Sequence, residues 1–210
     1  MLAVALFAAL ILDLLLGDPR RLPHPVRLIG ASAAWAEARL RRLLGDTRAA
    51  GIGAMLLLYL IWLPPVIALE LITAPSIPAQ LLFRTLVFYF MISIRDLIHH
   101  AWRVYRALKG DDTEEAQRWV SYLVSRDTEN LDREGLILSA TESVAENISD
   151  GTVGVLIFGL LLGPAGALLF RLANTLDAMW GYKTERYAEF GWAAAKLDDL
   201  YGWAPARITA

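Results

Sequence analysis

The sequence predicts an all-α, polytopic membrane helical bundle, and three observations carry that expectation. The apolar share is 56% and the mean hydropathy is positive, at +0.43. Apolar residues gather into blocks of bilayer-crossing or nearly bilayer-crossing length, at residues 1–17, 52–72, 79–94 and 152–172. The charged segments between them, 18–51, 95–151 and 173–210, carry helical periodicity where they are periodic at all. We read 1–210 as one membrane-embedded domain with its polar segments on the cytoplasmic side. The net charge of -2, with basic residues scattered among acidic ones, excludes a nucleic-acid binder. The absence of cysteine excludes a disulfide, a thiolate nucleophile, an iron–sulfur cluster and a Cys-ligated zinc.

Residues 1–17 lack a basic leader region and a small-residue cleavage site before Gly17-Asp-Pro, so they predict an uncleaved first membrane helix. Asp13 then sits at the interface or faces the protein interior. In Gly17-Asp-Pro-Arg-Arg-Leu-Pro-His-Pro-Val-Arg-Leu-Ile-Gly30 three prolines fix torsions and remove donors, which predicts a shaped loop. His24, held between two prolines, and Arg27 are candidates for contact with an anionic ligand, although a lone loop histidine is often structural. Over 33–44, Trp35, Ala36, Leu40, Leu43 and Leu44 share one face and Glu37, Arg41 and Arg42 the other, which suits a helix lying in the membrane interface.

Residues 52–72, bent at Pro64-Pro65, and residues 79–94, with Arg84 placed to snorkel, predict a helical hairpin turned by the loop of Pro75 and Pro78. From 95 to 109 an amphipathic helix carries Arg95, His99, Arg103 and Arg106 opposite Leu97, Ile98, Ala101, Tyr105 and Leu108. His99 and His100 point about 100° apart and cannot chelate one ion as an i, i+4 pair can. Asp112 with Glu115 forms a capping box that opens a helix from 113 to about 124. In the polar loop Ser125-Arg-Asp-Thr128, Arg126 suits phosphate oxygens and Asp127 suits a metal, though an ordinary helix-opening turn uses the same residue types.

The most informative stretch is residues 139–151, polar and acidic inside an apolar chain. On a helix at about 100° per residue Glu142, Glu146 and Asp150 step round by only about 40° each, with Ser139 among them and Ile137, Val144, Ala145 and Ile148 opposite. Aligned carboxylates on successive turns repel one another, and a hard divalent ion such as Mg²⁺, which takes carboxylate oxygens and bridges to phosphate, fits that face. A solvated helix face would show the same spacing. Polar residues cluster again after the apolar stretch 152–172, where Asn174 and Asp177 share a face and Gly181-Tyr-Lys183 places a cation beside a tight turn. The upstream glycine of a phosphate-binding loop is missing, so this is not a P-loop.

Taken in order, Asp13 to Gly30 with its Gly-Asp-Pro and Pro-His-Pro-Val-Arg, Ser125-Arg-Asp-Thr128, Glu142-Ser-Val-Ala-Glu-Asn147, Ser149-Asp-Gly151, Asn174-Thr-Leu-Asp177, Gly181-Tyr-Lys183, Glu185-Arg-Tyr187, Phe190-Gly-Trp-Ala-Ala-Ala195 and Leu197-Asp-Asp199 resemble the adenosylcobinamide-phosphate synthase family of cobalamin biosynthesis (CobD/CbiB-type membrane proteins). The resemblance runs over nearly the whole chain. It implies a Mg²⁺- and ATP-dependent amide ligase that joins adenosylcobyric acid to (R)-1-aminopropan-2-ol O-2-phosphate, or a related amino alcohol, through an acyl phosphate. Its expected catalytic residues are Glu142, Glu146, Asp177 and Lys183. Arg126, Asn147, Asn174, Arg186, His24 and Arg27 are expected to bind ATP and substrate, and Asp127, Glu142, Glu146 and Asp150 to bind metal. The partners expected are the corrinoid, the amino-alcohol phosphate and membrane lipid, with a homo-oligomer or association with other cobalamin-pathway membrane enzymes left open. Members of the family usually continue past the Pro-Ala-Arg-Ile-Thr-Ala ending with further membrane helices, which this chain is expected to lack.

Two other readings compete. An AmpE-like membrane sensor would lose the acidic and Lys-Arg segments, all of which are present, and a transporter would show repeated hydrophobic segments, of which there are none. Topology adds a constraint. Arg20, Arg21, Arg27, Arg39, Arg41, Arg42 and Arg48 fill the first loop and Arg95, Arg103, Arg106 and Lys109 follow the third span, whereas residues 73–80 carry no basic residue. The positive-inside rule puts both basic loops in the cytoplasm of a multi-pass cell-membrane protein. A single crossing by 152–172 would then strand 174–199 on the far side. The glycines and Gly163-Pro164 predict instead a re-entrant or core-buried hairpin that returns both polar blocks to one cytoplasmic site.

Overall fold

Helix α1, Leu2–Leu16, buries Ala5, Leu6, Ala9 and Asp13 in one stripe against α4 (Ile77–Met91) and leaves Phe7, Leu14, Leu15 and Leu16 on a flank suited to lipid. The computed structural model that shows this describes residues 1–18, 24–124 and 127–209, and it contains helices but no strand among them. Arg20, Arg21, Ser125 and Arg126 lie outside the described residues. Asp13 is fully buried and faces the interior. Its Oδ2 accepts the amide N–H groups of Ile94 and Arg95 at 2.9 and 3.0 Å, so one helix caps the start of another, α5 (Ile94–Lys109).

The loop expected up to residue 30 is shorter than that. His24 caps α2 (Pro25–Leu44) through a bond from Val26 N to its Nδ1 at 3.3 Å, and Pro25 stands at the first helical position, where its missing N–H costs nothing. The face expected to be buried on this helix is also corrected. Ile29, Ala33, Ala36 and Glu37 form the buried stripe of α2 against α3 (Arg48–Thr73) and α8 (Gly154–Trp180), while Leu43, 75% exposed, and Trp35 point away. Small side chains there allow close helix approach.

Helix α3 runs without a break across Pro64-Pro65. Arg84 is paired: its Nε donates to Glu70 Oε1 at 2.7 Å, pinning α4 to α3, and desolvation makes such a pair preferable to two lone charges. The chain breaks at Ile92-Ser93 and α5 departs as a separate helix. Asp112 caps α6 (Thr113–Val120) by accepting Glu115 N–H at 2.9 Å, and α6 ends four residues earlier than the periodicity suggested. Helices α5, α6 and α7 (Arg133–Ile148) share a small core of Val104, Leu108, Ala116, Val120 and Leu136, separate from the membrane bundle. The α7 face opposite the carboxylates does not pack as expected: Ile137 and Ile148 are 45% and 42% exposed, and Leu136, Ser139, Ala140 and Ser143 are the buried ones.

A π-helical turn, Ser149–Val153, leads from α7 into α8. Within α8 the chain reverses at Gly163, whose φ of 67° and ψ of -156° are open only to glycine, and Pro164 starts the second arm without needing a donor. Arm lies on arm. The Phe158 and Phe170 rings stack with centroids 5.2 Å apart, Phe170 covers Gly154, and Arg171 Nη2 donates to Gly151 O at 3.1 Å. Leu160, Leu161 and Leu162 form an exposed apolar tip. The hairpin expected at 152–172 is therefore present, and Asp150 meets Asn174 at its open end. Helix α9, Trp192–Thr209, packs against α8 and the π-turn. By length and apolarity three helical stretches can cross a membrane, Arg48–Thr73, Ile77–Lys109 and Arg133–Trp180, and the last is the one that folds back on itself.

Candidate active site

Asp132 opens α7 by accepting Gly135 N–H at 2.8 Å, and Ser143 Oγ ties the helix to Leu123 O at 2.6 Å. With its register so fixed, α7 turns Ser139, Glu142, Ser143, Glu146 and Asn147 toward a cavity of about 540 Å³. The π-turn adds one residue to the helical repeat at this point, a device often found at working sites, and it brings Asp150 into the same lining. From the opposite side α8 supplies Asn174, Asp177, Ala178 and Gly181, spaced i, i+3, i+4, i+7 on one face, and α9 supplies Asp198. Asn174 Nδ2 bridges the two walls by donating to Asp150 Oδ2 at 3.3 Å. A side chain at Gly181 would displace the Asp177 carboxylate, because a Cβ would stand 1.9 Å from Asp177 Oδ1 and 2.8 Å from its backbone oxygen.

Five carboxylates, Glu142, Glu146, Asp150, Asp177 and Asp198, therefore converge from three helices and the π-turn, and no basic side chain lines the cavity among the described residues. Burial, then the neighbouring charges of Asp177, Asp150 and Asp199, push the Asp198 carboxyl up to about 7, against an opposing hydrogen bond from Asn174. Such a cavity is short of positive charge. Among the described residues no three acidic or histidine side chains close on a single point as a protein-only metal cage would. The donor set fits an ion that takes one or two carboxylates and completes its shell with water and phosphate, which is the habit of Mg²⁺.

The structure brings together Glu142, Glu146, Asn147, Asp150, Asn174 and Asp177 from the sequence-derived candidates, and it places the others elsewhere. Asn147 spends its amide within the helix, donating to Ser143 O at 2.8 Å. Lys183 is exposed and directly follows the lining residue Tyr182. Arg186 points away: its Nη2 donates at 3.0 Å to Glu37 Oε1, which also accepts Arg41 Nε at 3.0 Å, while Glu37 Oε2 accepts Trp180 Nε1 at 3.1 Å. Asp127 folds into its own turn, accepting Glu129 N–H at 2.9 Å, and lines a separate cavity with Arg118 and Glu114. His24 and Arg27 line a third cavity, of about 340 Å³. Asp198 was not among the candidates; the signal that could have found it was its place in Leu197-Asp-Asp199.

Comparison with known proteins agrees over nearly the whole chain. The family model described as "CobD/Cbib protein" matches residues 6–210. The chain is 40% identical over 202 residues to "Cobalamin biosynthesis protein CobD" of Leptospira interrogans, covering 96% of this chain and 64% of that protein. It is 42% identical over 214 residues to the protein of the same name from Chromobacterium violaceum, covering 99% and 67%. It is 39% identical over 204 residues to "Probable cobalamin biosynthesis protein CobD" of Methanothermobacter thermautotrophicus, covering 97% and 66%. The chain thus spans about two thirds of the length of the curated relatives it matches. No solved structure matches it. An all-α membrane bundle, the matched residues 6–210 and an acidic cavity built from the motifs inside that match lead to one conclusion: the chain belongs to the CobD/Cbib protein family.

Proposed function

We propose that the chain serves cobalamin biosynthesis as an ATP-dependent amide ligase, joining the free carboxylate of adenosylcobyric acid to the amine of an aminopropanol phosphate at the cavity between α7, α8 and α9. The single observation that carries this is the convergence of five carboxylates from three helices and the π-turn in one cavity, a surplus of negative charge suited to a nucleotide-bound divalent cation. One or two of Glu142, Glu146 and Asp150 would hold Mg²⁺, with water and phosphate completing its shell. The chemistry such an ion supplies when bound is neutralisation of phosphoryl oxygens.

In the first step the corrinoid carboxylate oxygen attacks the γ-phosphorus of ATP, the bond from that phosphorus to the ADP oxygen breaks, and an acyl phosphate and ADP result. In the second the amine nitrogen attacks the acyl carbon, the carbon–oxygen bond to phosphate breaks, and an amide and inorganic phosphate leave. The amine sheds a proton on the way. Asp198, buried among the other acids, is assigned to take that proton, and Asn174 keeps Asp150 in place beside it. Lys183, next to the lining, is assigned to the nucleotide phosphates.

The test is Mg-ATP-dependent consumption of adenosylcobyric acid together with aminopropanol phosphate by the purified protein, with ADP release in step with amide formation. Glu146→Gln should lower turnover by roughly 10² while the protein stays folded in detergent. Full activity in that variant would remove the acidic cavity from the reaction.

A further inference from the structure

Helix α7 borders two very different spaces. One face lines the acidic cavity with Glu142 and Glu146, and the face turned from it lies along α5 and leaves an apolar groove. The groove, of about 560 Å³, is walled chiefly by Ile94, Leu97, Ile98 and Trp102 of α5 and by Val144 and Ile148 of α7. It is open among the described residues, with Ile98 56% exposed and Ile148 42%. A contiguous apolar surface of this kind marks a place of contact.

Its position in the bundle says what it meets. Helices α1 and α4, 15 residues each, cover about 22 Å at ~1.5 Å per residue, roughly 8 Å less than the ~30 Å hydrocarbon core, so the core reaches past their ends. Both helices end where α5 begins: Asp13 Oδ2 accepts the Ile94 and Arg95 amides, and only Ile92 and Ser93 separate α4 from α5. Arg95 Nη1 donates to Leu14 O at 3.2 Å, so the exposed leucines that close α1 adjoin the start of α5. The lipid-suited flank of α1 thus runs on into the near end of the groove.

Along α5 the side chains then change in the order in which a bilayer changes. After Ile98 come Trp102 and Tyr105, both exposed, with ring centroids 5.2 Å apart, and then the exposed Arg106 and Lys109, whose Nζ stands 5.9 Å from the Tyr105 ring. Apolar side chains meet acyl chains, Trp and Tyr favour the boundary, and cations favour the headgroups. Helix α5 bears Arg95, Arg103, Arg106 and Lys109 against Asp96 alone, a balance complementary to anionic headgroups. A second copy fits less well. Two copies in one membrane share an orientation, so a two-fold axis between them runs along the membrane normal and sets groups of equal depth together, Arg106 and Lys109 against their own counterparts.

We propose that the groove between α5 and α7 binds an anionic phospholipid, with its acyl chain between Ile98 and Ile148 and its phosphate against Arg106 and Lys109. Trp102 and Tyr105 stand at the boundary between the two, and the outer end of the groove, at Leu108, Ile137 and Thr141, is on the water side. Helix α7 then faces lipid on one side and the acidic cavity on the other, which holds that cavity at the membrane surface. The site is independent of the reaction assigned to the cavity.

The chain has no cysteine, so single introduced cysteines report without background. The full chain, in nanodiscs of phosphatidylcholine with phosphatidylglycerol, carries a nitroxide at Ile98→Cys, at Ile148→Cys or, as the water-side reference, at Glu134→Cys, and its collisions with oxygen are compared with those with a water-soluble nickel chelate. Labels at 98 and 148 should favour oxygen and the label at 134 the chelate. A water-like reading at 98 and 148 overturns the site, and so does spin–spin broadening there whatever the lipid, which makes a second copy the occupant. A fluorophore at Ile148→Cys should be quenched at a lower mole fraction of nitroxide-labelled phosphatidylglycerol than of nitroxide-labelled phosphatidylcholine. Arg106→Gln with Lys109→Gln should raise the half-quenching fraction of the phosphatidylglycerol by roughly fivefold or more. Equal quenching by the two lipids, or a preference unchanged in the double variant, overturns the anionic ligand.

Discussion

At the scale of single residues, the carboxylates at the site differ from one another because their surroundings do. Asp198 titrates near neutrality because burial and three neighbouring acids penalise its charged form. Its folded-state pKa lies above the ordinary carboxylate value, so the penalty is absent at low pH, grows as pH rises from that value through about 7, and is complete above it. Asp198→Asn should therefore raise the thermal midpoint at pH 8 and leave it nearly unchanged at pH 5, measured by unfolding in detergent. Glu37 presents the contrary case, a buried carboxylate satisfied by Trp180, Arg41 and Arg186 together. Glu37→Ala strands those donors and should destabilise by about 1–3 kcal/mol, more than Arg186→Ala does, since Arg186 is exposed. Lys183→Ala should raise the KM for ATP with little change in folding. An unchanged KM would make Lys183 a surface cation. Helical spacing brought out Glu142, Glu146, Asp150, Asn174 and Asp177, but Asp198 escaped it because its neighbours in space come from two other helices.

Among the elements, the hairpin within α8 positions the site. Residues 152–172 read in a hydropathy scan as a span, yet Gly163 reverses the chain and joins Asp150 to Asn174 across the open end. Gly163→Ala forces a β-carbon into a conformation open to glycine, and it should cost roughly 1–3 kcal/mol and impair turnover with it, read by thermal unfolding and by the ligase assay. Helix starts were legible where a side chain caps locally, as Asp112 and Asp132 do. The faces of α2 and α7 were not. Periodicity identifies an amphipathic helix, but which stripe is buried depends on partners, and in α2 the small stripe around Ala33 and Ala36 won over the leucines because α3 and α8 approach closely. Arg84 likewise pairs with Glu70 on a neighbouring helix, a partner that spacing along one helix does not reveal.

For the molecule as a whole the question is on which side the polar blocks emerge. Helix α1 at 15 residues covers about 22 Å at ~1.5 Å per residue, short of the ~30 Å hydrocarbon core, while α3 at 26 residues exceeds it. The hairpin returns α7 and the segment after α8 to the same end of the bundle. Cysteines introduced at the exposed positions Thr141 and Thr184 should be labelled by an impermeant reagent from the same side, expected from the basic loops to be the cytoplasmic one. Labelling from opposite faces would overturn a shared site. The sequence by itself determined the class, the apolar segments, the acidic stripe of α7, the family and the break at Gly163-Pro164, since each rests on local periodicity, on motif order or on a residue whose backbone freedom is its own. Only the tertiary structure decided that Asp198 joins the cavity, that Arg186 and Asp127 leave it, and that an apolar groove backs α7. Those outcomes depend on contacts between residues far apart in the chain, where burial and neighbouring charge, rather than spacing, set what a side chain does.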